Sequence, residues 1–484
     1  MMSLKLPARR YTTLAVVLTP ILALVVFLSR TPTSTTGPWP FPRRTTQTST
    51  NCDRCSASPT WCAEFGSRNM DLVQAYDGSG DRVQRVLAKA ARGEPIQFGI
   101  LGGSMSLGHG CGCSPFHRQV FDWWNATYPH PDNLYLNGAV GARGTNYFKF
   151  CASEHLPAAP DIVLLEHSLN DRPSLEDAGN MEAILRHILA LPSRPAVIIT
   201  ASFSLMPTSK IAMGGDVHLP VAQYYDIPVI NLRHALFPVI LNRPEMLDEF
   251  FVIKSQKPNY VDLLHLSARG HEALAQSTIA YLERQRCLLA NPAPFHTPAA
   301  PYDVIASSLL DSPSSVLDKA DPMNDLPRLS LLSSSWSPDT HVPAERPSCA
   351  SIDSPHHTLV PLNTSTPGWT RWTQPHTTKI YWRAENVGER ADFPVEVVRG
   401  EVMVYILKSN RLGLGRARCW LDDKKTDGVL LDGYWNNDHI GWHYPVAQDA
   451  SPGMHTLHCE VLERDPRQDA GRGTAILIIA VLAL

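Results

Sequence analysis

The feature that most limits the fold is an alternation, between about residues 65 and 290, of short apolar runs with helical patterns. Five runs read as strands: Pro95–Leu101, Leu134–Asn137, Asp161–Glu166, Ala196–Ser202 and Ile227–Asn231. A strand with one wet face alternates apolar and polar residues. Runs such as PIQFGIL, DIVLLE and AVIITAS are too apolar for that, so they suit parallel strands buried on both faces. Between them, Asp81–Ala91, Phe116–Tyr128, Asn180–Leu191 and Ser267–Arg286 carry apolar residues three and four apart. That is the spacing of a helix with one buried stripe. Strand and helix in turn predict a three-layer α/β/α domain around a parallel sheet.

Beyond residue 290 the pattern changes. Residues 291–345 are rich in Pro and Ser, with stretches such as SSLLDSPSS and LLSSSWSP, and read as a partly ordered linker. Residues 346–484 hold several short strands and no helix: Thr378–Trp382, Val395–Val398, Val402–Leu407, Arg416–Leu421, His455–Leu462 and Ala475–Leu484. This predicts a C-terminal β-sandwich. The last run, AILIIAVLAL, is ten residues long, too short to span a bilayer, and reads as a buried strand. The chain shows no internal repeat. Its 43 Lys and Arg against 46 Asp and Glu give a formal charge of -3, which argues against a nucleic-acid partner.

Residues 12–29 carry no charge and follow Lys5, Arg9 and Arg10. No small-residue cleavage site follows them, so they read as a signal anchor rather than a cleaved signal peptide. The expected layout is a cytosolic tail at 1–11, an anchor at 12–29 and a stem with a Cys cluster at 30–64. The α/β domain at 65–290, the linker at 291–345 and the sandwich at 346–484 follow. The positive-inside rule then places a single-pass type II protein in the secretory pathway, in the Golgi or at the cell surface, or secreted if the segment is cut. The sequons at Asn125 and Asn363 agree with a luminal address. In that compartment Cys52, Cys55 and Cys62 read as disulfide partners rather than zinc ligands, and no metal is expected. Cys419 and Cys459, in two candidate strands of the sandwich, are a candidate pair.

Four short blocks carry the chemistry. Gly102-Gly103-Ser104 follows the first strand, where α/β domains place ligands. Gly138-Ala139-Val140-Gly141 follows the second. Ser168-Leu169-Asn170-Asp171 follows the third, and Asp262-Leu263-Leu264-His265 precedes the last helix. Each block alone has a bland reading: a turn serine, an Asx turn, a structural histidine. In this order, over about residues 95–285, they resemble the SGNH/GDSL hydrolase superfamily. The resemblance implies Ser104 as nucleophile, and Asp262 and His265 as acid and base. It implies an oxyanion hole of Ser104, Gly141 and Asn170, with Gly144 competing for the glycine position. Two positions depart from the pattern. Gly103 stands for an acidic residue, and Ser168 stands for a glycine where its side chain is expected to narrow the crevice or shift Asn170. His109, His167 and His271 are competing bases, and Asp171 is expected to cap or bond locally.

The implied reaction is acyl transfer through an acyl-serine, with no cofactor. The compartment and the resemblance point to an O-acetyl group on a glycan as substrate, and the N-terminal helix to membrane attachment. An O-acetyltransferase using the same serine is one alternative, and a non-catalytic glycan-binding protein is another. Tyr434, Trp435 and Trp442 could stack on sugars, but filling the sandwich core is the preferred reading.

Overall fold

The computed structural model describes residues 52–206, 211–253, 260–291, 326–337, 342, 347–362, 368–375, 377–436, 439–464 and 472–484. The tail, the apolar segment 12–29, the stem to residue 51, linker residues 292–325 and the sequon residue Asn363 lie outside the described residues. No helix among the described residues is long and apolar enough to cross a membrane.

The N-terminal half is built on β1 (Gln74–Tyr76), β2 (Gln97–Gly102), β3 (Leu134–Asn137), β4 (Ile162–Glu166), β5 (Ala196–Ala201) and β6 (Val229–Asn231). Their order is β1-β6-β5-β4-β2-β3. The strands β2 to β6 run parallel, and β1 is antiparallel to β6. Successive side chains point to opposite faces. Ile162 and Leu164 pack with Leu87, Trp124 and Leu274 from the helices Asp81–Ala91, Phe116–Thr127 and Ala268–Ala290. Val163 and Leu165 pack with Phe148, Leu185 and Val221 from Thr145–Cys151, Leu175–Leu189 and Gly214–Tyr224. Both faces are covered, which is why these strands lack a polar period. Each such buried aliphatic side chain contributes about 1.5–3 kcal/mol.

The helix expected at Asn180 begins at Leu175, because the Ser174 hydroxyl caps it by accepting from the Asp177 amide at 3.1 Å. The helices Gly214–Tyr224 and Leu232–Asn242 escape the sequence pattern, since each contains a proline, Pro220 and Pro238. A separate antiparallel pair, β7 (Phe251–Ile253) and β8 (Val261–Leu266), precedes the last helix.

The expected stem boundary at residue 64 moves. Helices Arg54–Ala57, Pro59–Phe65 and Ser67–Val73 pack onto the α/β core through Trp61, Met70 and Val73. Disulfides Cys52–Cys287 and Cys55–Cys62 hold them there.

The second half comprises β9 (Ser348–Ser351), β10 (Thr370–Thr373), β11 (Ile380–Ala384), β12 (Arg390–Val397), β13 (Val402–Lys408), β14 (Arg416–Leu421), β15 (Val429–Asp432), β16 (Ile440–Ala447), β17 (Gly453–Val461) and β18 (Ile476–Ala483). One sheet runs β10-β11-β18-β13-β16 with β9 on β18, and the other runs β12-β17-β14-β15. Cys419 and Cys459 stand opposite each other on β14 and β17 and are disulfide-bonded.

The first of these sheets is buried on both faces. Val404 and Ile406 of β13 meet Phe393 and Leu457 of the facing sheet. Met403, Tyr405 and Leu407 share a cluster with Tyr147, Phe148 and Leu185 of the α/β half. The disulfide Cys151–Cys349 and the Arg143–Asp353 ion pair at 2.7 Å cross the same boundary. The described end of the linker also packs onto the α/β half, through Leu326 and Leu331. The molecule is thus an α/β half and a β-sandwich joined by a shared apolar core. Among the described residues there are five disulfides, which point to an oxidising compartment.

Candidate active site

The loops after β3, β2 and β4, three neighbours in the sheet, meet at one edge of it. Ser104 lies just past β2, Gly141 past β3 and Asn170 past β4. Strand β8 carries Asp262 and His265 to the same place. All but Asp262 line one cavity of about 440 Å³.

Ser104 Oγ lies 2.8 Å from His265 Nε2, and His265 Nδ1 lies 3.1 Å from Asp262 Oδ2. With the imidazole proton on Nδ1, the ring donates to the carboxylate and accepts from the serine hydroxyl. Asp262 Oδ1 accepts from the backbone N–H groups of Leu264 at 3.1 Å and His265 at 3.4 Å, which fixes the carboxylate. The competing histidines are placed otherwise. His271 is buried and its Nδ1 accepts from the Phe116 amide at 3.3 Å. His167 is buried against Phe148. Burial lowers both, to about 4. His109 lines the cavity with its ring 4.7 Å from that of His265.

The Gly103 departure has a steric reason. A Cβ at 103 would run into the Asn170 carboxamide, so glycine lets Asn170 lie beside the serine turn. Gly144 is explained elsewhere, because a Cβ there would strike Asp171 Oδ1. Gly141 opens toward the cavity, where a Cβ would meet only Leu107 and Lys379 at contact distance.

Three expectations are corrected. Ser168 does not narrow the crevice. It is buried, donates to Glu166 Oε1 at 2.9 Å and accepts from the Ser202 amide at 3.1 Å. Asp171 caps a helix, but a distant one that starts at Thr145, rather than bonding locally. Its Oδ1 accepts from the Thr145 amide and its Oδ2 pairs with His218 Nε2, both at 2.9 Å. These bonds tie the Asn170 turn to two helices. Trp435 and Trp442 do not fill the sandwich core, because they line the cavity with Ser104. Tyr434 lies against the Arg472 guanidinium, 4.1 Å from its ring centre.

Other supports were invisible in the sequence. His117 Nε2 donates to the Ser106 carbonyl at 2.6 Å and its Nδ1 accepts from Tyr135 at 2.8 Å, so it braces the turn after Ser104. Burial lowers its pKa to about 4, which keeps it neutral. Arg143, two residues after Gly141, is buried and held by Asp353 of the sandwich half. Glu166 is buried at the end of β4, and burial raises it to about 7.

No protein-family model matches the sequence, and no curated protein does. Among solved structures, the fold resembles a two-domain esterase active on acetylated mannans, determined with mannopentaose. Identity is 18% and the TM-score 0.59, over 86% of this chain and 97% of that one. The same esterase without the ligand aligns with a TM-score of 0.58 and 18% identity, over 86% of this chain and 98% of that one. An acetylxylan esterase from Geobacillus stearothermophilus aligns over 39% of this chain and 94% of that one, with 16% identity and a TM-score of 0.30. At these identities the first two show a shared two-part fold.

Proposed function

We propose that the protein is a serine esterase that removes O-acetyl groups from a glycan through an acetyl-serine intermediate. The observation that carries this reading is the hydrogen-bonded chain Ser104–His265–Asp262 on the wall of an open cavity. Ser104 Oγ attacks the acetyl carbonyl as His265 Nε2 takes its proton. The negative oxygen is met by the amides of Ser104 and Gly141 and by the Asn170 side chain, donors worth roughly 2.7–4 kcal/mol each. His265 returns the proton to the departing sugar oxygen, and water then hydrolyses the acetyl-serine. Asp262 orients the imidazole and stabilises its charged form. A glycan substrate is supported by the neighbour's activity on acetylated mannans and by Trp435 and Trp442 in the wall. Acetate release from acetylated gluco-oligosaccharides and manno-oligosaccharides tests the reading. The wild type releases acetate and Ser104→Ala does not, whereas equal release by both would overturn it.

The same reading places the catalytic part in the lumen or outside the cell, anchored by residues 12–29 and glycosylated at Asn125 and Asn363. The disulfides support that address. Glycosidase treatment of protein from a eukaryotic secretory host increases its gel mobility if this holds. No shift would argue against it.

A further inference from the structure

Lys379 precedes β11 in the sandwich half, yet it lines the cavity that holds Ser104 and His265. Its Cε and Nζ lie 3.7 and 4.0 Å from where a Cβ on Gly141 would stand. The ammonium is therefore beside the proposed oxyanion glycine. No carboxylate among the described residues forms a salt bridge with it; Asp353, which attracts it, is held by Arg143. The other charged groups in the wall are also satisfied: Asp171 by His218, and Asp177 by Arg172 and Ser174. Arg172 additionally covers the Trp442 ring at 5.0 Å. Burial first, and then the nearby Arg143, lower the Lys379 pKa despite the opposing attraction of Asp353, so its surroundings still disfavour the charge that an anion would balance.

We infer that the acetylated sugar is part of an acidic glycan, and that Lys379 binds a carboxylate on the same or the adjoining sugar residue. This rests on the esterase reading and deepens it. A neutral glycan filling the cavity strips water from the ammonium and returns hydroxyl acceptors but no opposing charge, which is costly for a charged group. A hexuronate supplies the missing partner, and the pairing strengthens as water leaves. Lys379 thereby sets specificity from the second half of the molecule.

The test compares an O-acetylated methyl glucuronoside with the corresponding O-acetylated methyl glucoside, whose carboxylate is replaced by a hydroxymethyl group. The full chain and its Lys379→Met and Lys379→Arg variants are assayed at low ionic strength. The expected result is an acid-to-neutral ratio of kcat/KM of about tenfold or more in the wild type. The ratio falls to about one in Lys379→Met and is largely kept in Lys379→Arg. Added salt lowers the wild-type rate on the acid substrate more than on the neutral one. A wild-type ratio of one or less overturns the inference, as does a ratio that Lys379→Met leaves unchanged. An equal loss on both substrates also overturns it, by assigning Lys379 to the oxyanion instead. A preference for a succinyl over an acetyl ester on the neutral sugar overturns it by moving the carboxylate to the acyl group. Those outcomes leave the esterase reading in place. Failure to release acetate from either substrate, with Ser104 unreactive toward a fluorophosphonate, removes both.

Discussion

Glu166 ends β4 beneath the Asn170 turn, where the Ser168 hydroxyl donates to it at 2.9 Å and Ser106 also favours its charged form. Burial raises its pKa from 4.5 to about 7. At about 1.4 kcal/mol per pH unit, that difference amounts to about 3 kcal/mol. The unfolded chain releases this proton near 4.5, while the folded protein holds it to about 7. Between those values the folded state binds more protons, so its stability falls as pH rises. The contribution is complete below the unfolded value and gone above the folded one. Glu166→Gln removes the ionisation and keeps the shape. The variant gains on the wild type with pH, by about 3 kcal/mol between pH 4 and pH 8. Urea unfolding of both proteins, followed by tryptophan fluorescence at pH 4, 6 and 8, measures the gap. The buried histidines titrate in both proteins and cancel in the difference. A gap that stays constant across this range would refute the reasoning, because the carboxyl would then ionise as it does in water.

Three further outcomes follow from the same geometry. His265→Ala lowers kcat by about 10³-fold or more, and Asp262→Asn lowers it less because the base remains but loses its orienting partner; steady-state kinetics on an acetyl ester checks both. Asn170→Ala lowers kcat by about 10²-fold with a smaller change in KM, since its amide binds charge that develops only in the transition state; an effect confined to KM would place it in ground-state binding. Removing the Cys151–Cys349 bridge as Cys151→Ala/Cys349→Ala opens a loop of 198 residues between the two halves. Chain entropy assigns that closure about 5 kcal/mol, so the melting temperature falls clearly under non-reducing conditions.

The α/β half was legible because its strands are buried on both faces and its helices have one apolar stripe. Leu134–Asn137 and Asp81–Ala91 were placed to the residue. The helices around Pro220 and Pro238 were hidden, since proline interrupts the local signal while tertiary packing tolerates it. Ser104, Gly141, Asn170, Asp262 and His265 were singled out by the order of four short blocks and their resemblance to a family, and the structure brings them together. The residues that brace them could not. Arg143 finds Asp353 210 residues away, and Lys379 enters the cavity from another sheet. The strand that carries Trp442, β16, escaped the sequence pattern, and nothing local told that it edges a cavity. The intimacy of the two halves was equally hidden. The apolar run in β13 signals two covered faces, but not which partner covers the second.

The acyl-serine mechanism requires Ser104 to be an activated nucleophile. Intact-mass and peptide mass spectrometry after exposure to a fluorophosphonate tests this most directly. One adduct, located on Ser104, is expected in the wild type and none in Ser104→Ala. A wild type that gains no adduct, or a Ser104→Ala variant labelled as fully as the wild type, would contradict it.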